Sequence, residues 1–450
     1  MPSDNQIREW VEETPLVDTH EHLIEESLRL SGEVGDRLFP CDDWSYLFMH
    51  YLGDDLSSAG MTEEQRQRFF APDTPTETKY RLVAPYWERT KHTGYAQAVR
   101  HTLRGLYGED DLTAESAPRL AEKYKAMVRP GFYREILRER SNLESCQVNS
   151  LQRIFMDTEQ PDLLHQDLSF VALSTGLDLK RVEFESGKTA DTLDGWLEVI
   201  DWHFATYGPR AIAVKNQSAY ARRLDYEAVP KERAEPLFAR FARHEKLDAE
   251  EQKALQDYLF RYCVGKATEY GLPVKLHTGY YAGHDSMPLT RLRQNAGDLC
   301  PLLKDFPETK FVLMHIGYPY QDEFIALAKH YHNAYIDLCW AWIINPAAGV
   351  RFVKEFLLAA PANKLFTFGG DYITVETIYG HSRIARQGLT QAISELVAEG
   401  WIAREEVPAL VQRLMRGNAC ETFPKREMAS AAKRQRLSVS SASRPCWVGN

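Results

Sequence analysis

Two histidines one residue apart, His20 and His22, lie at the end of the apolar stretch "PLVDTHEHLI". In a β-strand, residues two apart point to the same side, so both imidazoles would project from one edge. Two imidazoles held this close repel each other when protonated, but they suit a metal ion bound between them. The spacing therefore predicts half of a metal site, and the rest of the chain must supply other ligands and a scaffold.

The scaffold is indicated by short apolar, β-branched runs that alternate with helix-like segments. Runs of this kind are typical of parallel strands buried on both faces, and eight such units predict an α/β fold, a (β/α)₈ TIM barrel. The eight runs are residues 15–20, 143–148, 169–174, 211–216, 272–277, 310–315, 333–338 and 365–371.

Polar, reactive side chains stand at the ends of several of these runs. Lys215 ends the fourth, His277 the fifth, His315 the sixth and Asp371 the eighth. In a (β/α)₈ barrel the carboxyl ends of the strands converge on one mouth, so these residues should share a site with His20 and His22. Imidazole and carboxylate groups are suitable ligands for Zn²⁺, Fe²⁺ or Mn²⁺. The run ends therefore predict a catalytic metal site at the barrel mouth.

Two segments of the chain lie outside the strands and helices that a plain (β/α)₈ barrel requires. Residues 25–140 are rich in aromatic residues and helix formers, and we predict a helical insertion after strand one, over the barrel mouth. Residues 1–424 are predicted to form one barrel domain that includes this insertion. Residues 425–450 are rich in Ser, Ala and Arg without periodicity, and we predict a disordered tail there.

Composition narrows the classes of partner. The chain has 64 acidic and 54 basic residues, with a net charge of −10. No basic block interrupts the first 420 residues and no apolar stretch approaches the ~20 residues of a membrane span, so we expect neither nucleic acid nor membrane as a partner. Seven scattered cysteines without a C-x-x-C pair indicate reduced thiols. We expect a cytoplasmic protein, and a homo-oligomer is compatible with a barrel of this size.

The order of these residues resembles a known family. H-x-H on strand one, Lys on strand four, His on strands five and six and Asp on strand eight form the pattern of the amidohydrolase superfamily. The motifs "PLVDTHEH", "KLHTGYY", "VLMHIGYP" and "FTFGGDY" are similar to its amidohydrolase-related branch. That branch includes metal-dependent decarboxylases and domains fused to glutamine-synthetase-like proteins. The long insertion after strand one is similar to that of the superfamily's uronate isomerases.

The resemblance implies ligands and roles. One divalent ion, expected to be Zn²⁺ with Mn²⁺ or Fe²⁺ as alternatives, would be held by His20, His22, His277 and Asp371. His315 would act as a general base or polarise the substrate, and Asp371 would also move a proton. Lys215 is open to three interpretations: a carbamylated bridge to a second ion, a cation that grips the substrate, or a paired side chain within the barrel.

The expected activity is metal-dependent hydrolysis of an amide, ester or lactone bond in a small polar molecule, with metal-activated water as the nucleophile. The alternative on the same site is decarboxylation of an aromatic or unsaturated acid, or isomerisation of a sugar acid. A barrel that binds metal without catalysis is a third hypothesis, which the intact ligand set disfavours.

Substrate contacts are predicted from residues near the strand ends and in the insertion. An anionic or polar substrate would meet positive or hydrogen-bonding groups there, although ordinary packing or a solvated helix face explains such residues equally well. The candidates are Lys215, Tyr280, His284, Arg383 and Arg89.

Overall fold

The computed structural model describes residues 4–32 and 39–423. The predicted disordered tail, residues 425–450, lies outside the described residues. The strands are β1 (Leu16–Glu21), β2 (Leu143–Val148), β3 (Leu164–Gln166), β4 (Leu168–Ser169), β5 (Val214–Asn216), β6 (Val274–Leu276), β7 (Phe311–Leu313), β8 (Ala334–Asp337) and β9 (Leu365–Phe366).

The strands form two parallel sheets in chain order, β1 to β3 and β4 to β9. The backbone N–H of Thr19 donates to the carbonyl of Phe368 over 3.0 Å, and that of Asp371 donates to the carbonyl of His20 over 2.9 Å. These bonds join β1 to the chain that follows β9 and close the ring. The predicted (β/α)₈ barrel is therefore confirmed, with β3 and β4 as the two halves of one barrel strand interrupted at Asp167.

The position predicted for the third strand was wrong. The strand residues lie within 164–169, whereas the apolar run 169–174 leaves the sheet after Ser169 and turns. The backbone N–H groups of Ser174 and Gly176 both donate to the carbonyl of Val171, which closes the turn. Phe170 and Leu173 are fully buried all the same. A short apolar run shows that a segment is buried and does not fix its conformation.

The helices surround the barrel and fill the long connection after β1. They are α1 (Asn5–Glu13), α2 (Glu26–Ser31), α3 (Tyr51–Ser58), α4 (Glu63–Phe70), α5 (Thr76–Thr90), α6 (Gly94–Tyr107), α7 (Ser116–Met127), α8 (Phe132–Arg134), α9 (Leu179–Ser186), α10 (Leu193–Tyr207), α11 (Lys231–Ala242), α12 (Ala249–Glu269), α13 (Leu289–Asp305), α14 (Gln321–His330), α15 (Ala341–Ile344), α16 (Pro346–Ala359), α17 (Val375–Ala398), α18 (Val407–Gln412) and α19 (Asn418–Thr422).

Local sequence signals explain where several helices begin. Asp248 caps α12 because its side chain accepts from the backbone N–H of Glu251 while the Glu251 side chain accepts from that of Asp248. This reciprocal pair satisfies two N–H groups that a helix start leaves free. None of the helices in the described ranges is both long and apolar enough to cross a bilayer.

The connection between β1 and β2 carries α2 to α8 and is held against α17. Arg29 of α2 donates to both carboxylate oxygens of Glu376 of α17, over 2.6 and 3.1 Å, and both side chains are buried. Such a bidentate pair fixes orientation as well as distance. Because Glu376 lies five positions after Asp371, the insertion is anchored next to the end of the last strand. The division into one domain with this insertion stays a prediction.

Candidate metal centre

The two histidines of β1 meet the carboxylate that follows β9. The Nε2 atoms of His20 and His22 lie 3.3 Å apart, and Oδ1 of Asp371 lies 3.2 Å from the first and 3.3 Å from the second. His20 is fully buried and Asp371 nearly so. Three ligand atoms therefore converge on one point, which is the arrangement that a divalent cation requires.

The Nδ1 atoms of these two rings, which point away from each other, show that the Nε2 atoms between the rings carry lone pairs. Nδ1 of His22 lies 2.8 Å from the carbonyl oxygen of Asn149, which can only accept, so Nδ1 carries the hydrogen. Nδ1 of His20 faces Asp167, 3.7 Å from its Oδ2. Burial first, with the positive charge of Lys215 second, lowers the pKa of His20 to about 4. The neutral rings thus direct lone pairs at each other, and a cation between them fits this donor set.

Asp371 is held in a constrained conformation as an ionised carboxylate. Its backbone φ is +60°, a region that residues other than glycine rarely adopt. Burial would raise its pKa, but the adjacent His20 and His22 rings outweigh burial and hold the pKa well below its usual range. The hydroxyl of Tyr51, from the insertion, donates to its Oδ2 over 2.6 Å. A strained, charged and buried carboxylate of this kind is a mark of a functional site.

A second pair of imidazoles reaches Asp371 through His315. Nε2 of His315 lies 3.0 Å from Nδ1 of His277. The outer nitrogens lie near carbonyl oxygens, Nδ1 of His315 3.0 Å from Cys339 and Nε2 of His277 2.8 Å from Tyr280. The outer nitrogens must donate, so the facing nitrogens again both carry lone pairs. Burial lowers the pKa of His315 to about 3, so the ring stays neutral.

The structure therefore divides the expected metal ligands into two groups, whereas the sequence predicted one. His20, His22 and Asp371 come together as predicted, whereas His277, expected as the fourth ligand, contacts His315 instead. The φ of His315 is +64° and that of Ile316 is +51°, so β7 ends in a sharp bend that turns the His315 ring. Sequence spacing cannot reveal such a bend.

Lys215 lies buried in the same region. Its Nζ contacts Sδ of Met314 at 2.7 Å, and no carboxylate among the described residues forms an ion pair with it. Burial lowers its pKa to about 8. Of the three interpretations, the paired side chain is therefore disfavoured, while carbamylation and substrate contact both stay open.

A second layer of carboxylates, which the sequence only partly indicated, supports the ligands. Asp167 accepts from Lys275 at both oxygens, over 2.9 and 2.8 Å, and faces His20 from behind. Oδ1 of Asp18 accepts from the backbone N–H of His20 over 3.0 Å. Burial raises the pKa of Asp18 to about 6, and burial together with the charge of Asp18 raises that of Glu21. Asp18 and Asp167 of this layer hold His20, a candidate ligand, by its backbone and beside its ring.

The predicted substrate contacts divide into two groups. Tyr280 packs 5.7 Å from the ring of Trp340, and Nδ1 of His284 lies 3.7 Å from Asp54 of the insertion. By contrast, Arg383 forms a bidentate pair with Glu12 on α1, and Arg89 donates to the carbonyl of Ala59 within the insertion. The structure does not bring these two arginines to the metal centre, because α17 and α5 direct them to other partners.

Three residues at the site were not found from the sequence. Tyr51 comes from the insertion, and its position after His50 in an aromatic-rich stretch was the available signal. Asp167 was missed because the third strand was placed too late in the chain. Cys339, fully buried after β8, lies near His315 and Asp371. Its scattered position among seven cysteines gave no signal.

Comparisons with known proteins agree with this geometry. The amidohydrolase family model matches residues 217–425. Protein fluG of Emericella nidulans is 29% identical over 203 residues, which is 43% of this chain and 23% of that protein. The chain thus spans about a quarter of the length of the curated relative it matches.

Solved structures show the same fold over nearly the whole chain. Glucuronate isomerase from Caulobacter crescentus matches with a TM-score of 0.76 at 16% identity, covering 95% of both chains. Uronate isomerase from Thermotoga maritima gives 0.74 at 16% identity, covering 93% of this chain and 96% of that one. A proposed metal-dependent hydrolase from Lactobacillus casei gives 0.65 at 18% identity, covering 93% and 97%. The family match bears out the resemblance to the amidohydrolases, and the solved structures, at 16–18% identity, show a shared fold.

Proposed function

We propose that this enzyme of the amidohydrolase superfamily is a hydrolase that cleaves an amide, ester or lactone bond in a small polar molecule. The observation that carries the proposal is the position of Asp371, whose Oδ1 faces both β1 histidines while its Oδ2 is held by Tyr51. A carboxylate next to a metal ion is suited to take the proton from attacking water.

The residues that would hold a divalent ion are His20, His22 and Asp371. Zn²⁺ is the ion we propose first, with Mn²⁺ or Fe²⁺ as alternatives, since an imidazole and carboxylate set suits all three. A bound ion would lower the pKa of a coordinated water to about 7 and polarise the carbonyl under attack.

The protein's own groups then have separate tasks. Asp371 accepts a proton from the attacking water as the new C–O bond forms, and returns it to the leaving nitrogen or oxygen when the old bond breaks. Tyr51 holds Oδ2 so that Oδ1 stays directed at the reacting atoms. Lys215 has a buried ammonium without a carboxylate partner, so it can stabilise the negative charge that develops on the carbonyl oxygen.

The two roles expected for His315 differ in what its ring must supply. Its Nδ1 hydrogen is directed to the carbonyl of Cys339, and the neutral ring has no other N–H to donate to an oxyanion. We therefore assign oxyanion stabilisation to Lys215, while the free Nε2 lone pair of His315 stays available to accept a proton as a general base or to bind a cation.

The alternative, isomerisation of a sugar acid, has one supporting observation, the likeness of fold to the two uronate isomerases. Such a reaction requires a group that grips the substrate carboxylate, usually arginine. Arg89 and Arg383, the arginines predicted for an anionic substrate, are engaged elsewhere. Of the predicted cations, Lys215 remains for a substrate carboxylate, and the hydrolase proposal assigns it to the developing oxyanion instead.

Product analysis tests the proposal. The metal-loaded enzyme is incubated in heavy-oxygen water with lactones, aryl esters, N-acyl amides, uronic acids and aromatic carboxylic acids. Hydrolysis incorporates one solvent oxygen into a newly formed carboxylate, and Asp371→Asn should abolish it while Asp322→Asn, at an exposed acid on α14, should not. Turnover only of uronic acids without a new carboxylate, or loss of carbon dioxide, would overturn the hydrolase proposal.

A further inference from the structure

The neighbourhood of Cys339 is unlike that of an ordinary buried thiol. The residue follows β8 and is 0% exposed, and its Sγ has no hydrogen-bond partner among the described residues. Most buried cysteines lie among apolar side chains and act as small hydrophobic groups. Cys339 instead lies beside His315 and Asp371, and one ligand atom from each of the three lies within 4.8 Å of the others.

The backbone fixes the thiol in this place. The N–H of Cys339 donates to Oδ1 of Asp337 over 2.8 Å, and its carbonyl accepts from His315. A Cβ placed on Gly369 would lie 2.8 Å from Sγ, so only glycine at that position leaves room for the thiol. The end of β8 therefore fixes the backbone of Cys339, and the chain after β9 leaves room for its sulfur.

The histidine of this group already directs a lone pair inward. Nδ1 of His315 is occupied by the Cys339 carbonyl, so its Nε2 is free to bind a cation. That Nε2 faces a second lone pair, on Nδ1 of His277, over 3.0 Å. Two facing lone pairs without a hydrogen between them require either a shared proton or a cation.

We propose that Cys339, His315 and Asp371 form a second cation site that contains sulfur and shares Asp371 with the first. A thiolate ligand favours soft or borderline ions such as Zn²⁺, Co²⁺ and Cd²⁺ over Mg²⁺ or Mn²⁺. This site differs from one built on a carbamylated Lys215, because its distinguishing ligand is the sulfur. The inference rests on the proposed function in taking Asp371 as a metal ligand.

The test is spectroscopic and does not depend on activity. Chelator-treated protein, in a Cys446→Ser background that removes the cysteine outside the described residues, is titrated with Co²⁺ and then with Cd²⁺. Thiolate ligation gives a sulfur-to-metal charge-transfer absorption in the ultraviolet, and metal content is counted in parallel. The parent should show this absorption, and Cys339→Ser should lose it together with at least tenfold in Co²⁺ affinity for one of two sites.

Two controls separate the outcomes. Cys263→Ser changes another fully buried cysteine, on α12, and should keep the absorption. His20→Ala/His22→Ala should lose one ion and also keep the absorption, so failure of the first site and failure of the sulfur site give different results. If Cys339→Ser does not fold, cadmium NMR of the parent shows directly whether sulfur is a ligand. A saturated parent without sulfur ligation, or an unchanged absorption in folded Cys339→Ser, would overturn the proposal.

Discussion

The hydroxyl of Tyr51 donates to Oδ2 of Asp371 over 2.6 Å, between residues 320 positions apart in the chain. The Tyr51 ring stacks on that of Trp340, with centroids 4.6 Å apart, and on that of His50 at 3.9 Å. The helical insertion thus contributes a side chain directly to the candidate metal centre. Because of this contact, the insertion does more than cover the barrel.

Replacing Tyr51 with Phe should lower activity more than it lowers stability. The variant keeps the ring stacking but leaves Oδ2 of Asp371 without its donor, so we expect kcat to fall about 10–100-fold, the usual cost of losing a partner of a metal ligand. Steady-state kinetics and metal content measure the effect. Tyr107→Phe is a matched control, since Tyr107 is buried in the same insertion and its hydroxyl has no hydrogen-bond partner within residues 4–32 and 39–423. Equal losses in the two variants would contradict the assignment.

The fold was predictable because parallel strands buried on both faces leave a strong pattern. Seven of the eight runs coincide with strands, and the remaining run, 169–174, was displaced because a buried turn has the same apolar composition. His20, His22 and Asp371 were predicted to meet because strand ends converge in a barrel.

The remainder of the site depends on contacts that spacing does not encode. Tyr51 reaches Asp371 through the tertiary packing of the insertion, and the Lys275–Asp167 pair joins strands 108 positions apart. His315 meets His277 where positive φ angles end β7 and turn the His315 ring. Arg383 pairs with Glu12 because α17 lies against α1. None of these relationships is periodic, so the sequence does not reveal them.

Asp167→Asn should destabilise the barrel strongly. The change leaves the fully buried ammonium of Lys275 without its carboxylate, which typically costs about 3–5 kcal/mol of unfolding free energy. Asp167→Asn/Lys275→Met removes both charges and should recover much of that loss. Urea unfolding compares the two single variants, Asp167→Asn and Lys275→Met, with the double variant. If the double variant is as unstable as the sum of the singles, the two residues are not coupled.

The stability of the protein should fall in acid partly because of His381. This residue is fully buried on α17, and burial lowers its pKa from 6.5 to about 3. Between these values only the unfolded state binds the proton, so this contribution is complete above about pH 6.5 and is lost as the pH falls. By about pH 5 the loss should be about 2 kcal/mol. His381→Leu should flatten the pH dependence of the unfolding free energy, whereas parallel curves for variant and parent would refute the assignment.

Arg29→Met should loosen the attachment of the insertion to α17. Glu376, 0% exposed, would keep its charge without a partner, and we expect a loss of about 3–5 kcal/mol. Arg29→Met/Glu376→Met should be more stable than the single variant. Arg243→Met breaks an exposed pair with Glu245 and should change the unfolding free energy by at most about 1 kcal/mol. Denaturant titrations compare the three, and a similar small effect in both single variants would show that the buried pair is not an anchor.

The central claim is that His20, His22 and Asp371 hold a divalent ion. Elemental analysis of protein purified without added metal, set beside His20→Ala/His22→Ala and the exposed control His330→Ala/His332→Ala, tests it most directly. We predict that the parent and the control contain the same amount of zinc, manganese or iron, and that His20→Ala/His22→Ala contains one ion fewer per chain. Equal metal content in all three proteins, or none in the parent after reconstitution, would contradict the account.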